Sequence, residues 1–132
     1  MIHILKLVIL FLLISVPVFT QESEVLFTQG EEYFNEGRFA DAYFSYSKYI
    51  EYNPDSVKGY ISRGNTLIFL KKIKEALSDF EKAILLDPKN YKAHSGRGTV
   101  YVYLQNGEEA IKSYQKALEL NPDDVVSINS MS

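Results

Sequence analysis

The sequence predicts an all-α fold in which three helical hairpins stack into a solenoid behind an apolar N-terminal leader. The first observation is a spacing: Pro54, Pro88 and Pro122 each follow an Asn or Asp and lie 34 residues apart. The second is that small and aromatic residues recur at fixed positions within this period. The third is that each period contains two segments with the apolar spacing of a helix. A period of 20 to 50 residues is typical of solenoids built from one repeated supersecondary unit.

Residues 1–20, MIHILKLVILFLLISVPVFT, form the predicted leader. One basic residue, Lys6, precedes an uninterrupted apolar run from Leu7 to Ile14, and Pro17 follows before the polar part of the chain. This order is typical of a secretory signal peptide. An uncleaved membrane anchor and a buried N-terminal helix are the alternatives. The signal is favoured because the run is short and Pro17 is badly placed in a spanning helix.

The remainder, residues 21–132, is predicted to be one repeat domain. Its repeats span residues 23–56, 57–90 and 91–124, and a partial C-terminal cap spans residues 125–132. The recurring columns are the eighth (Gly30, Gly64, Gly98), eleventh (Tyr33, Leu67, Tyr101), twentieth (Ala42, Ala76, Ala110), twenty-fourth (Tyr46, Phe80, Tyr114), twenty-seventh (Tyr49, Ala83, Ala117) and thirty-second (Pro54, Pro88, Pro122). Helix axes about 8 to 10 Å apart leave no room for large side chains where the backbones touch, which explains the small residues.

Turn and cap residues separate the predicted helices. Gly37 and Gly107 are predicted to reverse the chain between the two helices of the first and third repeats. Ser56, Asn90 and Asp124 follow the three prolines by two residues and are predicted to cap the helices that come next. Each repeat is therefore predicted to be a helix-turn-helix unit.

This pattern resembles the tetratricopeptide repeat over residues 23–122. The resemblance implies a right-handed superhelical solenoid without catalytic activity. The departures from the family pattern are Leu26, Tyr60 and His94 at the fourth position, Gln29, Arg63 and Arg97 at the seventh, and Tyr49 at a position that is usually small.

The resemblance also implies a peptide-binding groove lined by the first helix of each repeat. The candidate groove residues are Phe27, Glu31, Phe34, Lys58, Ile61, Asn65, Ile68, Phe69, Lys92, Thr99, Val102 and Tyr103; Glu24, Asn35 and Ser95 occupy equivalent positions. An extended or helical peptide with apolar anchors is the predicted ligand. The alternative is that the aromatic residues pack along the inner helices without binding anything.

A narrower analogy fails. Relatives that clamp the C-terminal carboxylate of chaperone peptides use Lys, Asn, Asn, Lys and Arg at five positions. The matching residues in this chain are Phe27, Glu31, Ser62, Lys92 and Gly96, so only Lys92 agrees.

Composition disfavours other functions. The net charge of −3 argues against a nucleic-acid partner. The absence of cysteine excludes disulfides and thiolate chemistry. His94 falls in a packing column, and we expect no catalytic site, metal or cofactor.

The sequence thus predicts an exported scaffold, periplasmic or secreted, that binds a protein or peptide and meets a membrane only through an uncleaved leader. The alternative is a structural subunit that self-associates through an under-capped C-terminal end. Val125, Val126 and Ile128 are expected to cover part of the last hairpin there and to leave an apolar surface.

Overall fold

A computed structural model describes the backbone of residues 1–132 and the side chains of residues 1–8 and 20–132. Across this backbone there are seven α-helices and no strand, which confirms the all-α prediction. The helices are α1 (Ile2–Asn35), α2 (Phe39–Tyr52), α3 (Val57–Phe69), α4 (Ile73–Leu86), α5 (Tyr91–Tyr103), α6 (Gly107–Leu120) and α7 (Val125–Met131).

The leader prediction depends mainly on residues 9–19, whose side chains lie outside the described residues. Among the residues that are described, no helix is both long and apolar enough to cross a membrane. The assignment of residues 1–20 stays a prediction.

Neighbouring helices pack as three stacked hairpins. The pairs are α1 with α2, α3 with α4, and α5 with α6, while contacts of α2 with α3 and of α4 with α5 join successive hairpins. The first helices of the second and third hairpins, α3 and α5, also touch. This arrangement confirms the predicted solenoid of helix-turn-helix units.

The glycines of the eighth column are close-contact points, as predicted. A Cβ atom added to Gly30 would lie 2.6 Å from the ring of Tyr46, and one added to Gly98 would lie 2.7 Å from the ring of Tyr114. Gly64 faces Phe80 in the same way at 3.0 Å. The aromatic column therefore rests directly on the glycine column within each hairpin.

Tyr49, the departure at a usually small position, fits because its neighbour is small. Tyr49 is buried, and a Cβ atom on Gly59 would lie 3.1 Å from its ring. Its equivalent Ala83 is a buried alanine, and the equivalent of Gly59 one repeat later is Ala93. A large residue on one helix is thus matched by the loss of a side chain on the next.

The three predicted N-caps are confirmed. The Ser56 hydroxyl accepts a hydrogen bond from the Gly59 amide at 3.2 Å, and the Asn90 side chain accepts one from the Lys92 amide at 3.1 Å. Asp124 caps α7 by accepting a hydrogen bond from the Ser127 amide at 3.3 Å.

The prediction for Gly107 is wrong. Gly37 does have a left-handed backbone, with φ +75°, but Gly107 is the first residue of α6 and Gln105 has the positive φ, 57°. Lys71 occupies the equivalent position of the second repeat with φ 61°. Two non-glycine residues thus adopt a conformation that glycine adopts at less cost.

The C-terminal expectation also needs correction. Ser127 is the buried residue of α7. Val125, Val126 and Ile128 remain 64%, 51% and 43% exposed, so they cover less of the last hairpin than expected and leave the expected apolar surface. The reason is the register of this short helix, in which the Asp124 cap turns Ser127 inward against Ser95.

Candidate functional site

Three adjoining hollows lie on the face formed by α1, α3 and α5, and Asn65 borders all of them. The acidic hollow, about 350 Å³, is lined by Glu31, Phe34, Asn35, Tyr46, Ser62 and Asn65. The aromatic hollow, about 430 Å³, is lined by Phe34, Asn65, Ile68, Phe69, Lys71, Thr99 and Tyr103. The lysine hollow, about 250 Å³, is lined by Ile61, Asn65, Tyr91, Lys92, Ser95, Gly96, Thr99, Asp124 and Val126. Shared walls make the three hollows one continuous surface.

The aromatic hollow is organised by three phenylalanines from three helices. The ring of Phe39 stacks on that of Phe69 with centroids 4.5 Å apart, and the edge contacts of Phe34 with Phe39 and Phe69 measure 5.4 and 5.3 Å. Phe69 nevertheless stays 55% exposed and Tyr103 50% exposed. Because these rings are held in place before any ligand arrives, they could bury apolar groups at little cost in side-chain entropy.

Lys71 adds a positive charge at the rim of the aromatic hollow. Its Nζ lies 5.4 Å from the centroid of the Tyr103 ring, within the range of a cation–π contact. Lys71 directly follows the C-cap residue of α3. Its left-handed backbone forms part of the turn between α3 and α4. The hollow therefore combines an apolar floor with a cationic edge.

The acidic hollow is polar. Tyr46 is 3% exposed, and its pKa is raised to about 12, first by burial and then by the negative charge of Glu31, while a hydrogen bond with Ser62 acts in the opposite direction. Glu31 is exposed, and among the described side chains no basic group lies within ion-pair distance of it. The hollow therefore has a negative charge above a buried phenol.

The lysine hollow holds one charge of each sign, those of Lys92 and Asp124. The side chain of Lys92 is exposed and belongs to no ion pair among the described residues. Asp124 in the same wall is occupied as the cap of α7 and also accepts a hydrogen bond from the Ser127 hydroxyl. The candidate groove therefore runs from the unpaired carboxylate of Glu31 in the first repeat to the ammonium group of Lys92 in the third.

Nine predicted groove residues line these hollows: Glu31, Phe34, Ile61, Asn65, Ile68, Phe69, Lys92, Thr99 and Tyr103. Ile61 and Ile68 are only 9% and 8% exposed, so they are core residues as well as wall residues. The contribution of these nine residues to ligand binding stays a prediction.

The other three predicted residues lie elsewhere. Phe27 is buried, with its ring centroid 5.4 Å from Tyr46 and 5.0 Å from Tyr49. Lys58 is engaged with Glu24 at 2.7 Å, and this hydrogen bond lowers the pKa of the Glu24 carboxyl. Val102 is 53% exposed but borders none of the three hollows. Phe27 thus belongs to the core of the first repeat, Lys58 links the second repeat to the first, and Val102 lies outside the three hollows.

Sequence reasoning missed several lining residues: Tyr46, Ser62, Lys71, Tyr91, Gly96, Asp124 and Val126. Tyr46 was assigned to packing, which is correct, but Tyr46 also lines the acidic hollow. Ser62 and Gly96 share the sixth position of their repeats, a column that faces the neighbouring hairpin. This shared sixth position was the sequence signal from which Ser62 and Gly96 could have been predicted as lining residues.

His94 has a structural role consistent with its packing column. It is buried, and its Nε2 lies 2.7 Å from the carbonyl oxygen of Pro88. Tyr60, the equivalent residue of the second repeat, donates its hydroxyl to the carbonyl of Pro54 at 2.9 Å. Both side chains thus tie the inter-repeat turn to the next helix. No group of three metal-ligating side chains was found among the described residues.

Comparison with known proteins agrees with this architecture. Two models of the tetratricopeptide repeat match the chain, one over residues 23–56 and the other over residues 57–90 and 91–124. The DnaJ homolog subfamily C member 7 homolog of Schizosaccharomyces pombe is 40% identical over 55 residues, which are 39% of this chain and 12% of that protein. The match therefore spans a small part of that relative.

Two solved structures are similar over most of the chain. The first TPR domain of Spaghetti (RPAP3), bound to the HSP90 peptide SRMEEVD, has 33% identity and a TM-score of 0.80 over 84% of this chain and 88% of its own. The TPR domain of Arabidopsis OM64 has 27% identity and a TM-score of 0.83 over 86% of this chain and 93% of its own. The repeat matches, the hairpin packing and these similar structures show that the chain belongs to the tetratricopeptide repeat family.

Proposed function

We propose that this chain is a non-catalytic scaffold that binds an extended peptide or protein segment along the face of α1, α3 and α5. The observation that carries the proposal is the aromatic hollow, in which Phe69 and Tyr103 remain half exposed around about 430 Å³ of space. Contiguous exposed aromatic surface is typical of interaction sites. The polar hollows on both sides would fix the position of the ligand along the groove.

The likeness to the RPAP3 domain supports this proposal, because that domain holds a peptide and is 33% identical to this chain. We do not expect the same ligand. Of the five residues that match the carboxylate clamp, only Lys92 has the charge needed, and Glu31 has the opposite charge. The preferred partner is therefore a peptide whose chemistry differs from that of a chaperone C-terminus.

We further propose that the partner lies outside the cytoplasmic membrane. This location depends on residues 1–20 acting as a signal peptide or, if uncleaved, as an anchor. Neither a cofactor nor a nucleic acid is part of the proposal.

The test is selection of peptides from a randomised display library on the full chain, followed by titration of the best binder. Phe69→Asp or Tyr103→Asp should weaken binding at least tenfold, because a charge would replace the apolar contact. Phe44→Asp is the matched control, since Phe44 is 62% exposed on α2 and borders none of the three hollows. Phe34 is a poorer choice because it makes edge contacts with both Phe39 and Phe69. Equal binding by all variants would refute the proposal.

The second candidate function is self-association through the C-terminal end. It is favoured by the exposure of Val125, Val126, Ile128 and Met131 on α7. On this reading the chain is a subunit that stacks on a copy of itself or on a larger assembly.

A further inference from the structure

We infer that the acidic hollow is a subsite for an arginine side chain of the bound peptide. The inference rests on the proposed function and specifies the ligand of that site. Apart from the Phe34 ring, the lining is polar. Five of its side chains carry oxygen atoms that can accept hydrogen bonds: Glu31, Asn35, Tyr46, Ser62 and Asn65. A guanidinium group carries five N–H donors and no acceptor, so its requirements match this wall.

The unpaired carboxylate of Glu31 determines whether the hollow attracts a positively or a negatively charged ligand group. Glu24 and Glu31 lie about two turns apart on α1, and Glu24 is paired with Lys58 at 2.7 Å. Glu31 has no such partner among the described side chains. The raised pKa of Tyr46, caused partly by the charge of Glu31, agrees with this carboxylate facing the phenol inside the hollow. A cationic side chain is therefore attracted here and a carboxylate repelled.

The Phe34 ring favours arginine over lysine. It forms the apolar wall of the acidic hollow and also borders the aromatic hollow. A planar guanidinium can lie against an aromatic face while its edge donates hydrogen bonds, whereas an ammonium group is a strongly hydrated point charge. Because the two hollows share Phe34 and Asn65, the arginine is expected within a few residues of the bulky apolar residue that enters the aromatic hollow.

The experiment is a library selection repeated on the full-length wild type, Glu31→Gln, Glu31→Lys and Glu32→Gln. Glu32 is the matched control because it is exposed, adjacent in sequence and absent from the lining of the hollows. Wild type and Glu32→Gln should enrich arginine near an aromatic or large aliphatic residue. Glu31→Gln should lose this enrichment, and Glu31→Lys should enrich Asp or Glu at that place.

A titration then isolates the contact. The selected peptide and its citrulline analogue, which has the same shape without the charge, are measured against wild type and Glu31→Gln. The citrulline peptide should bind wild type at least tenfold more weakly, as expected for loss of a charged hydrogen bond, and should bind Glu31→Gln about as well as the arginine peptide does.

Three results would overturn the inference. Enriched peptides without a preference for arginine, or an equal effect of citrulline on wild type and Glu31→Gln, would overturn it while leaving the groove as a binding site. A library with no enriched peptide at all would overturn the proposed function and this inference with it. Thermal unfolding of each variant, followed by circular dichroism, separates these results from loss of fold.

Discussion

At the scale of single residues, Gly96 is the glycine whose added Cβ atom would come closest to a neighbouring side chain. A Cβ atom at this position would lie 2.2 Å from Cε1 of Phe80, a side chain that is completely buried. Phe80 therefore packs between Gly64 of its own hairpin and Gly96 of the next. One aromatic ring joins two repeats only because both neighbours lack side chains.

Two glycine substitutions should consequently change stability in opposite directions. Gly96→Ala should lower the free energy of unfolding by about 1 to 3 kcal/mol, because overpacking displaces Phe80. Gly107→Ala should raise it by about 0.4 to 1 kcal/mol, since nothing lies within 4 Å of its added Cβ and alanine restricts the unfolded chain. Urea unfolding of the two full-length variants measures both effects. Shifts of the same sign would show that close contact does not govern the Gly96 position.

Tyr46 makes stability depend on pH in the alkaline range. In the unfolded chain its hydroxyl ionises near the ordinary pKa of about 10, whereas in the folded protein the pKa is about 12. The native state thus holds the proton more tightly, so its stability is complete below pH 10 and falls as the pH rises through this interval.

Tyr46→Phe removes the titrating hydroxyl and keeps the ring, as Phe80 does in the second repeat. Between pH 10 and 12, wild type should lose roughly 2 kcal/mol more unfolding free energy than this variant. The other tyrosines are the same in both proteins, so the difference isolates Tyr46. Parallel pH profiles from denaturant unfolding would contradict the assignment.

At the scale of helices, a partly buried ion pair holds α3 against α4. Arg63 donates two hydrogen bonds of 2.7 Å to the carboxylate of Asp79, and the two side chains are 21% and 8% exposed. The hydrogen bond with Asp79 raises the pKa of Arg63. The equivalent positions of the first repeat hold the neutral residues Gln29 and Ser45.

Breaking this pair on one side should cost more than replacing both partners. Asp79→Ser leaves a half-buried Arg63 without its counter-ion and should cost about 2 to 3 kcal/mol. The double variant Arg63→Gln, Asp79→Ser copies the first repeat and should recover part of that loss. Denaturant unfolding of the double-mutant cycle measures the coupling. The exposed pair Lys112 and Glu108 is the control, for which little coupling is expected.

The helices were largely predictable because their causes are local. The glycine column, the prolines and the caps at Ser56, Asn90 and Asp124 each act on residues within one or two helices, and the 34-residue period repeats each signal three times. The prediction that Gly107 reverses the chain was wrong because a glycine at a turn does not specify which turn residue takes the positive φ. The geometry of that turn is common to all three repeats, and only Gly37 marks its place with a glycine.

The groove was only partly predictable because lining depends on contacts between repeats. Phe27 occupies a groove position in the period but is buried against Tyr46 and Tyr49, two aromatic residues of the facing helix. Tyr46 appeared to be a core residue alone, yet its ring also borders the acidic hollow. Such double roles follow from the packing of neighbouring helices, which the column of a single repeat does not contain.

At the scale of the whole molecule, the groove and the C-terminal end are two separate surfaces. The groove joins three hollows over all three repeats, whereas the end consists of a seven-residue helix that buries only Ser127. A stable protein interface buries at least about 1,000 Å² in total. Val125, Val126, Ile128 and Met131, all partly exposed, form too small a surface to reach this area without help from a second region.

Light scattering of the full chain over a concentration series should therefore give the same mass curve for wild type and Ile128→Glu. Leu85→Glu is the control, because Leu85 is 75% exposed on α4 and distant in sequence from the end helix. Association through residues 1–20 would raise the mass of all three proteins equally and would not distinguish them. A lower mass for Ile128→Glu alone would instead make stacking through α7 the better account. The groove would then be a secondary surface on a subunit whose main contact is its own end.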